Sequence, residues 1–524
     1  MPLLQANHLS YQFTNGETLF SGVSCNLTAR RVGLIGRNGA GKSVLASILA
    51  KQCQPSEGYV VLNAKTQSFS QVPSKLISSD LTVVQYLQFE DVLEALKKVE
   101  SGSCEVKWFD IIGDRWQLAS ELFALFTELG LANDLSLYCR ELSGGQLSRL
   151  QLWKLFQSDA ELLILDEPSN HLDSEAKEWL AKKMSQFSGH ILLISHDRFF
   201  LRQMDQIWEL SSLGLHQYGG NYELYIMQKS LQQGAIVRQL NTVQRDQKNL
   251  EQQTQLNREK ADKRAAQGNK IRKQGGQPKI LLNAMRSRAT ESASSRVKNE
   301  KGRSELLLQK KYLLHKRHEQ LKEQKLYLQQ GSTRKTSLVY ALDCVLPYGS
   351  NQPISFECSP ASKLHLQGSN GSGKSTLLKV LLGEQSQKHG EVRINTPLYY
   401  LDQHFSLLNS NLSLLDNLLY FCNRLQESDA RTLLAGIGFR RDNVYRSASH
   451  LSGGEKMKLA MLVVSHQPDK PLLLLDEPDN HLDLNSKQIL ATALNCFEGA
   501  FILVSHDEEF VAQCAVTEVL AITT

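Results

Sequence analysis

The chain has 524 residues, 41% hydrophobic and 22% charged, with 33 Gly and 12 Pro, a composition that suits a globular protein of about three domains. Its formal charge of +5 hides a division: residues 222–335 hold 26 Lys and Arg against 10 Asp and Glu, while the rest holds 33 against 44. No run approaches the ~18 apolar residues of a membrane span, the opening residues have no basic stretch leading into a long apolar one, so a signal peptide is not expected, and the nine cysteines form no CxxC pair. Neither a membrane protein nor a disulfide or zinc scaffold is therefore expected, and a reducing cytoplasm suits the chain.

In chain order, an apolar strand over residues 32–35 leads into GRNGAGKS (36–43) and a helical pattern over 44–49. LSGGQ follows at 142–146, LLILDEPSNHLD at 162–173 and LLISHD at 192–197. Beyond the basic segment the order returns. A strand over 364–366 precedes GSNGSGKS (368–375) and a helix over 376–382, then LSGGE (451–455), LLLLDEPDNHLD (472–483) and ILVSHD (502–507). Twenty-nine residues separate Lys42 from Gln71 and Lys374 from Gln403, and thirty separate Asp166 from His196 and Asp476 from His506. Only the stretch between glutamine and LSGG differs, and the first copy carries about 23 extra residues there, expected as short helices within 89–121. The prediction is an α/β protein with two copies of one phosphate-loop domain, 1–221 and 336–524, joined by the basic segment 222–335.

GxxxxGK[ST] between a strand and a helix is the context of a phosphate loop. Gly36, Asn38, Gly39 and Gly41 in one copy, and Gly368, Asn370, Gly371 and Gly373 in the other, turn backbone N–H groups toward phosphate oxygens at a helix N-terminus. Lys42 and Lys374 are expected to neutralise the β- and γ-phosphates, and the Ser43 and Ser375 hydroxyls to reach Mg2+. Apolar runs ending in Asp-Glu read as buried parallel strands that deliver carboxylates at their C-terminal ends. Asp166 and Asp476 then hold Mg2+, and Glu167 and Glu477 polarise the attacking water. His196 and His506 close the next strand, placed for the γ-phosphate or the water; the alternative is a capping or core role. Gln71 and Gln403 are candidates to sense the metal and the water. For stacking adenine the candidate is Phe13, with Tyr11 its rival, and the second copy offers no clear counterpart among Val345, Leu346 and Tyr348. The ligands implied are ATP and Mg2+.

Within the basic segment Ile236, Leu240, Val243, Leu250 and Ala261 recur at heptad spacing. Leu307, Leu314, Leu321 and Leu328 are spaced seven throughout, with Leu306, Leu313 and Tyr327 expected to broaden the seam. A break at QGGQP (274–278) makes this an antiparallel α-helical coiled-coil hairpin. About 35 residues per helix give an arm on the order of 50 Å. Its tip, residues 266–303, holds ten Lys and Arg against two acidic residues, and no aromatic occurs between Tyr225 and Tyr312. Such a surface suits phosphates and RNA shape better than base stacking. The plain alternative is a solvated charged hairpin, although so one-sided a charge does not suit i,i+4 pairing. PKILLNAM (278–285) is apolar enough to pack, either as a turn core or against RNA.

LSGG resembles the signature of ATP-binding-cassette proteins, in which each nucleotide is sandwiched between one domain's phosphate loop and the other's signature. That resemblance implies that Ser143, Gly144 and Gly145 complete the site built on Lys374, and Ser452, Gly453 and Gly454 the site built on Lys42. EPSNHLD and EPDNHLD resemble the EPTNHLD string of the ABC-F family, departing from it at Ser169 and Asp479, and YGGNYELY (218–225) resembles that family's approach to its linker. The family implies a cytoplasmic ATPase, monomeric with paired cassettes and without a membrane partner, that acts on the ribosome. Its ATP-bound form docks in the tRNA exit site, and the linker tip reaches ribosomal RNA and tRNA. An antibiotic-resistance protein of the same family, a DNA-associated ATPase and a transporter ATPase subunit are the alternatives.

Overall fold

The computed structural model describes residues 3–14, 16–70, 80–170, 172–211, 214–274, 294–295, 298–314, 337–467 and 471–523. The chain packs as two units, one containing both cassettes and the other beginning at Glu223.

The first cassette opens with β1 (Leu4–Gln12), β2 (Thr18–Asn26), β3 (Arg31–Gly36), α1 (Lys42–Leu49), β4 (Glu57–Leu62) and β5 (Thr66–Phe69). A helical lobe follows: α2 (Val83–Leu87), α3 (Glu90–Glu100), α4 (Val106–Ile112), α5 (Leu118–Leu129) and α6 (Gly144–Phe156). β6 (Leu162–Asp166), α7 (Ser174–Gln186), β7 (His190–Ile194), α8 (Arg198–Leu201), β8 (Gln206–Ser211) and β9 (Gly214–Gly219) complete it. An antiparallel sheet runs β2-β1-β4, and a second sheet runs β5-β6-β7-β3-β8-β9, parallel except for its last pair. The apolar runs LLILD and HILLI form β6 and β7 because strands covered on both faces by other elements need no polar side. One consequence places the site. β7 lies between β6 and β3, so the residues after all three C-terminal ends converge on one rim, where parallel sheets carry their ligands.

In the second unit α9 (Tyr222–Gln274) is one helix of 53 residues, roughly 80 Å long, where about 35 residues were expected. Gln, Lys, Arg and Glu sustain helix propensity where the apolar stripe lapses, so the polar Gln247, Thr254 and Asn257 do not interrupt it. Residues 298–314 form α10. Leu240 and Val243 are buried against Leu314, with Ile236 and Leu307 packed alongside. Asn257 donates to Glu300 at 3.1 Å and Lys311 to Gln247 at 3.0 Å, so numbers fall on one helix as they rise on the other, and the pair is antiparallel. The expected broad seam is corrected: Leu306 and Leu313 are 67% and 60% exposed. A step of one residue turns a side chain about 100° away from the Leu307–Leu314 row. The seam thins past Val243, where Leu250 is half-buried and Ala261 exposed. Leu321, Leu328, Tyr327, PKILLNAM and most of QGGQP lie outside the described residues.

The second cassette repeats the first with β10 (Val339–Val345), β11 (Ile354–Cys358), β12 (Lys363–Gln367), α11 (Lys374–Leu381), β13 (His389–Ile394) and β14 (Leu398–Leu401). Its lobe has α12 (Leu414–Phe421), α13 (Glu427–Gly436) and α14 (Gly453–Ser465). β15 (Leu472–Asp476), α15 (Leu484–Cys496), β16 (Phe501–Val504), α16 (Glu508–Gln513) and β17 (Glu518–Ala521) close the chain. Its parallel sheet runs β14-β15-β16-β12-β17. Thr82 caps α2 as Ser413 caps α12, and each lobe ends in a signature helix, so the extra length of the first copy is α3 and α4. Those helices share a core with α5 and α6 through Leu93, Leu96, Ile112, Leu122 and Phe126.

Candidate nucleotide sites

Each phosphate loop closes on a glycine in the left-handed region, Gly41 at φ 92° and Gly373 at φ 105°, a backbone that other residues avoid. Space is short as well as strained. A Cβ on Gly373 would lie 2.8 Å from Leu346 Cδ1 and 3.0 Å from the Tyr348 carbonyl. The buried Lys42 donates to the carbonyls of Gly36 at 3.0 Å and Arg37 at 3.3 Å, and Lys374 to those of Gly368 at 2.8 Å and Ser369 at 2.9 Å. Each ammonium thus curls over its own loop. Burial lowers both pKa values, opposed chiefly by Glu167 for Lys42 and by Glu477 for Lys374.

At the end of β6, burial raises the Asp166 pKa against the pull of the neighbouring Ser43 hydroxyl, and Oδ1 is buried without a partner among the described residues. A carboxylate and a hydroxyl with spare oxygens are the hard donors that Mg2+ selects, so these residues fit the ion. The second copy differs, because Asp476 accepts from the Tyr400 hydroxyl at 2.9 Å, whereas Ser68 holds the equivalent place on β5. Ser375 is exposed beside Lys374. Gln403 has a buried, unpartnered Oε1 among the described residues, and Gln71 lies outside them.

The next residues, Glu167 and Glu477, stand at φ 47° and 49° with their amides bonded to the Ile194 and Val504 carbonyls at 2.9 Å. Such a conformation costs on the order of 1–3 kcal/mol in a non-glycine residue, and both copies bear it. It brings each carboxylate 3.7 Å from a histidine, Glu167 to His196 and Glu477 to His506. Burial pushes both glutamates up to about 7. The same burial holds His196 well below its ordinary value and His506 down to about 4. The result is a carboxyl titrating near neutrality beside a neutral imidazole, the setting of a general base.

A cavity of about 470 Å³ lies between the cassettes, lined by Phe13, Lys42, Ser43 and Glu167 from one and by Glu477 and His481 from the other. Asn38 donates its backbone N–H to Asp483 at 3.0 Å and its side-chain amide to the His481 carbonyl. Gly453, at the start of α14, abuts that same carbonyl, 3.4 Å from where its Cβ would stand. The second signature helix is therefore tied to the first phosphate loop. The tie is returned: the Asn370 N–H bonds Asp173, which pairs with Arg149 of the first signature helix at 2.8 Å. Ser143 caps α6 by accepting from Gln146, with Gly144 and Gly145 in the first turn. Ser452 donates from its N–H and its hydroxyl to Glu455, both at 2.9 Å, with Gly453 and Gly454 following.

Phe13 stands at the cavity rim, 41% exposed, while Tyr11 packs on the core. In the second copy Leu346 is buried and Tyr348 is 70% exposed, next to Gly349, whose backbone abuts Gly373. Of the three unclear counterparts to Phe13, Tyr348 is thus the exposed aromatic, and two lysines outside the motifs, Lys177 and Lys487, stand in the cavity wall. The lysines had a signal, since each stands four residues past the aspartate of HLD.

Two phosphate loops, two strand-end Asp-Glu pairs and two signature helices, each tied to the opposite loop, define a twin-cassette ABC ATPase. The family model described as ABC transporter matches residues 21–170 and 351–480. Putative ATP-binding protein YdiF of Bacillus subtilis (strain 168) is 31% identical over 552 residues, spanning 100% of this chain and 80% of that protein. ABC transporter F family member 5 of Arabidopsis thaliana is 29% identical, spanning 92% and 70%. The chain belongs to the ABC-F family of ATP-binding-cassette proteins. The archaeal ribosome recycling factor aABCE1, solved in complex with the ribosomal stalk protein aP1, shares the fold at TM-score 0.55 and 17% identity, over 98% of this chain and 87% of that one. Among the described residues no helix is long and apolar enough to cross a membrane.

Proposed function

We propose that this protein is a cytoplasmic, monomeric ATPase whose cassettes, 1–221 and 336–524, close on two ATP molecules, bind the ribosome while closed, and let go on hydrolysis. The linker, 222–335, is its RNA contact. The observation that carries the reading is that linker: its described helices pair antiparallel, and its sequence holds 26 basic residues against 10 acidic ones between two cassettes that are acidic. Ribosomes also figure in the description of the fold neighbour aABCE1.

In this reading the loop amides of residues 36–43 and 368–375, with Lys42 and Lys374, bind the phosphates, and the opposed Ser143–Gly145 and Ser452–Gly454 helix ends close over the γ-phosphate. Phe13 and Tyr348 stack the adenines. Ser43 with Asp166, and Ser375 with Asp476, supported by Gln71 and Gln403, would hold Mg2+, which when bound neutralises charge on the β- and γ-oxygens. Glu167 and Glu477 take the proton from the attacking water, and His196 and His506, kept neutral, hold that water in line.

The test is the double variant Glu167→Gln, Glu477→Gln, which removes the base and leaves ATP binding intact. It is expected to sediment with ribosomes when ATP is present and to stay free without it. If it remains free of ribosomes with ATP bound, the ribosomal reading falls.

A further inference from the structure

The two cassettes part company after the SHD histidine. Residues 506–509 of the second cassette are gripped by three cations of the first. Lys177 donates to the His506 carbonyl at 3.1 Å while pairing with Asp197 at 2.8 Å. Arg198 reaches Glu509 at 3.3 Å and Gln488 at 3.0 Å, and Arg202 also pairs with Glu509. Lys177 and Arg198 are nearly buried, at 13% and 12% exposure, where charged hydrogen bonds are strongest.

The grip is not returned. Lys487, the counterpart of Lys177, pairs with Asp507 at 2.9 Å as Lys177 does with Asp197, but it also faces Asp479 at 3.6 Å, and among the described residues it makes no bond to the His196 carbonyl. One position in the repeated motif distinguishes the two copies here. The Ser169 and Ser195 hydroxyls share a hydrogen bond at 3.4 Å, and Ser169 carries no charge to place a demand on Lys177. Asp479, its counterpart, is a buried carboxylate that needs a cation nearby, and Lys487 supplies it. Where the first cassette has Arg198, the second has Glu508.

We propose that Lys177 is a positioning residue acting in trans for hydrolysis at the Lys374 site, anchored by Arg198 and Arg202, and that Asp479 withdraws Lys487 from the reciprocal role. The inference rests on the reading of the two ATP sites above. His506 stands 3.7 Å from Glu477, and the carbonyl held by Lys177 belongs to His506 itself. Cassette closure therefore sets the imidazole of the Lys374 site, and small displacements of a positioning group are costly in rate. Both lysines also bear electrostatically on the opposite glutamate, so the asymmetry lies in the bond and not in proximity.

ATP binding is first measured on the unsubstituted chain with a fluorescent ATP analogue. Hydrolysis is then followed in Glu167→Gln, which leaves the Lys374 site working, and in Glu477→Gln, which leaves the Lys42 site working. Lys177→Gln, uncharged but still able to bond Asp197, is expected to lower kcat about tenfold in the first background at constant KM. In the second background the loss is expected to stay under about twofold, and Lys177→Arg is expected to recover most activity in the first. Lys487→Gln is expected to show no such preference for the Lys42 site. Equal losses in both backgrounds, a change confined to KM, or no loss overturns the inference alone. Absence of ATP binding, or of hydrolysis in Glu167→Gln, overturns the reading of the sites and the inference with it.

Discussion

Glu167 and Glu477 combine a strained backbone with a pKa raised by burial to about 7, and both features bear on activity. A base must be ionised, and with its pKa raised from the ordinary 4.5 the ionised form is lost as pH falls through 7. We therefore expect kcat/KM for ATP to fall about tenfold per unit below pH 7, a limb that a steady-state pH profile locates directly. The histidines, already neutral with pKa values pulled down, add no limb of their own near neutrality. The phosphate loops yield a second expectation. Gly373→Ala meets both a forbidden φ and the Leu346 side chain, whereas a Cβ on Gly371, at φ 83°, meets open space. The first is expected to cost about 2–4 kcal/mol and the second about 1–2, read as the difference between their thermal midpoints.

Among the elements, the hairpin makes the sharpest claim. Its described seam is a short cluster built on Leu240, Val243 and Leu314, so truncating one member removes a large share of what holds α9 to α10. Leu314→Ala is expected to weaken the hairpin by about 2–3 kcal/mol. Hydrogen exchange should accelerate along both helices while the sheets of the cassettes keep their protection. The heptad rows announced this seam, but not its width. Leu306 and Leu313 looked like seam residues by composition, and only the rotation of α10 shows that they face away.

For the molecule as a whole, charge is segregated along the chain: acidic cassettes and one basic segment. Replacing Lys270, Arg272, Lys273 and Lys279 by Ala removes four cations from that segment. If they meet phosphates, ribosome affinity falls and the slope of its logarithm against that of salt shrinks by roughly 3, while ATP hydrolysis without ribosomes persists. An unchanged slope would make the segment a solvated hairpin. The trapped Glu167→Gln, Glu477→Gln variant belongs to this level too, because it requires both sites to hold the cassettes closed.

Motifs and repeats carried most of the fold and most of the candidate site, because phosphate chemistry demands particular residues at fixed spacing along contiguous chain. Lys42, Ser43, Asp166, Glu167 and their second-copy partners stand at a helix start or a strand end, where local rules suffice. Lys177 and the pairing of Asp479 with Lys487 were not legible for the opposite reason. Lys177 meets the His506 carbonyl across the cassette interface, 329 positions away, and Asp479 meets Lys487 only because packing buries the carboxylate, and no local pattern encodes either encounter. The strings EPSNHLD and EPDNHLD differ by one letter and read as equivalent. Packing makes them unequal, because a buried hydroxyl is satisfied by a neighbouring serine while a buried carboxylate takes hold of a lysine.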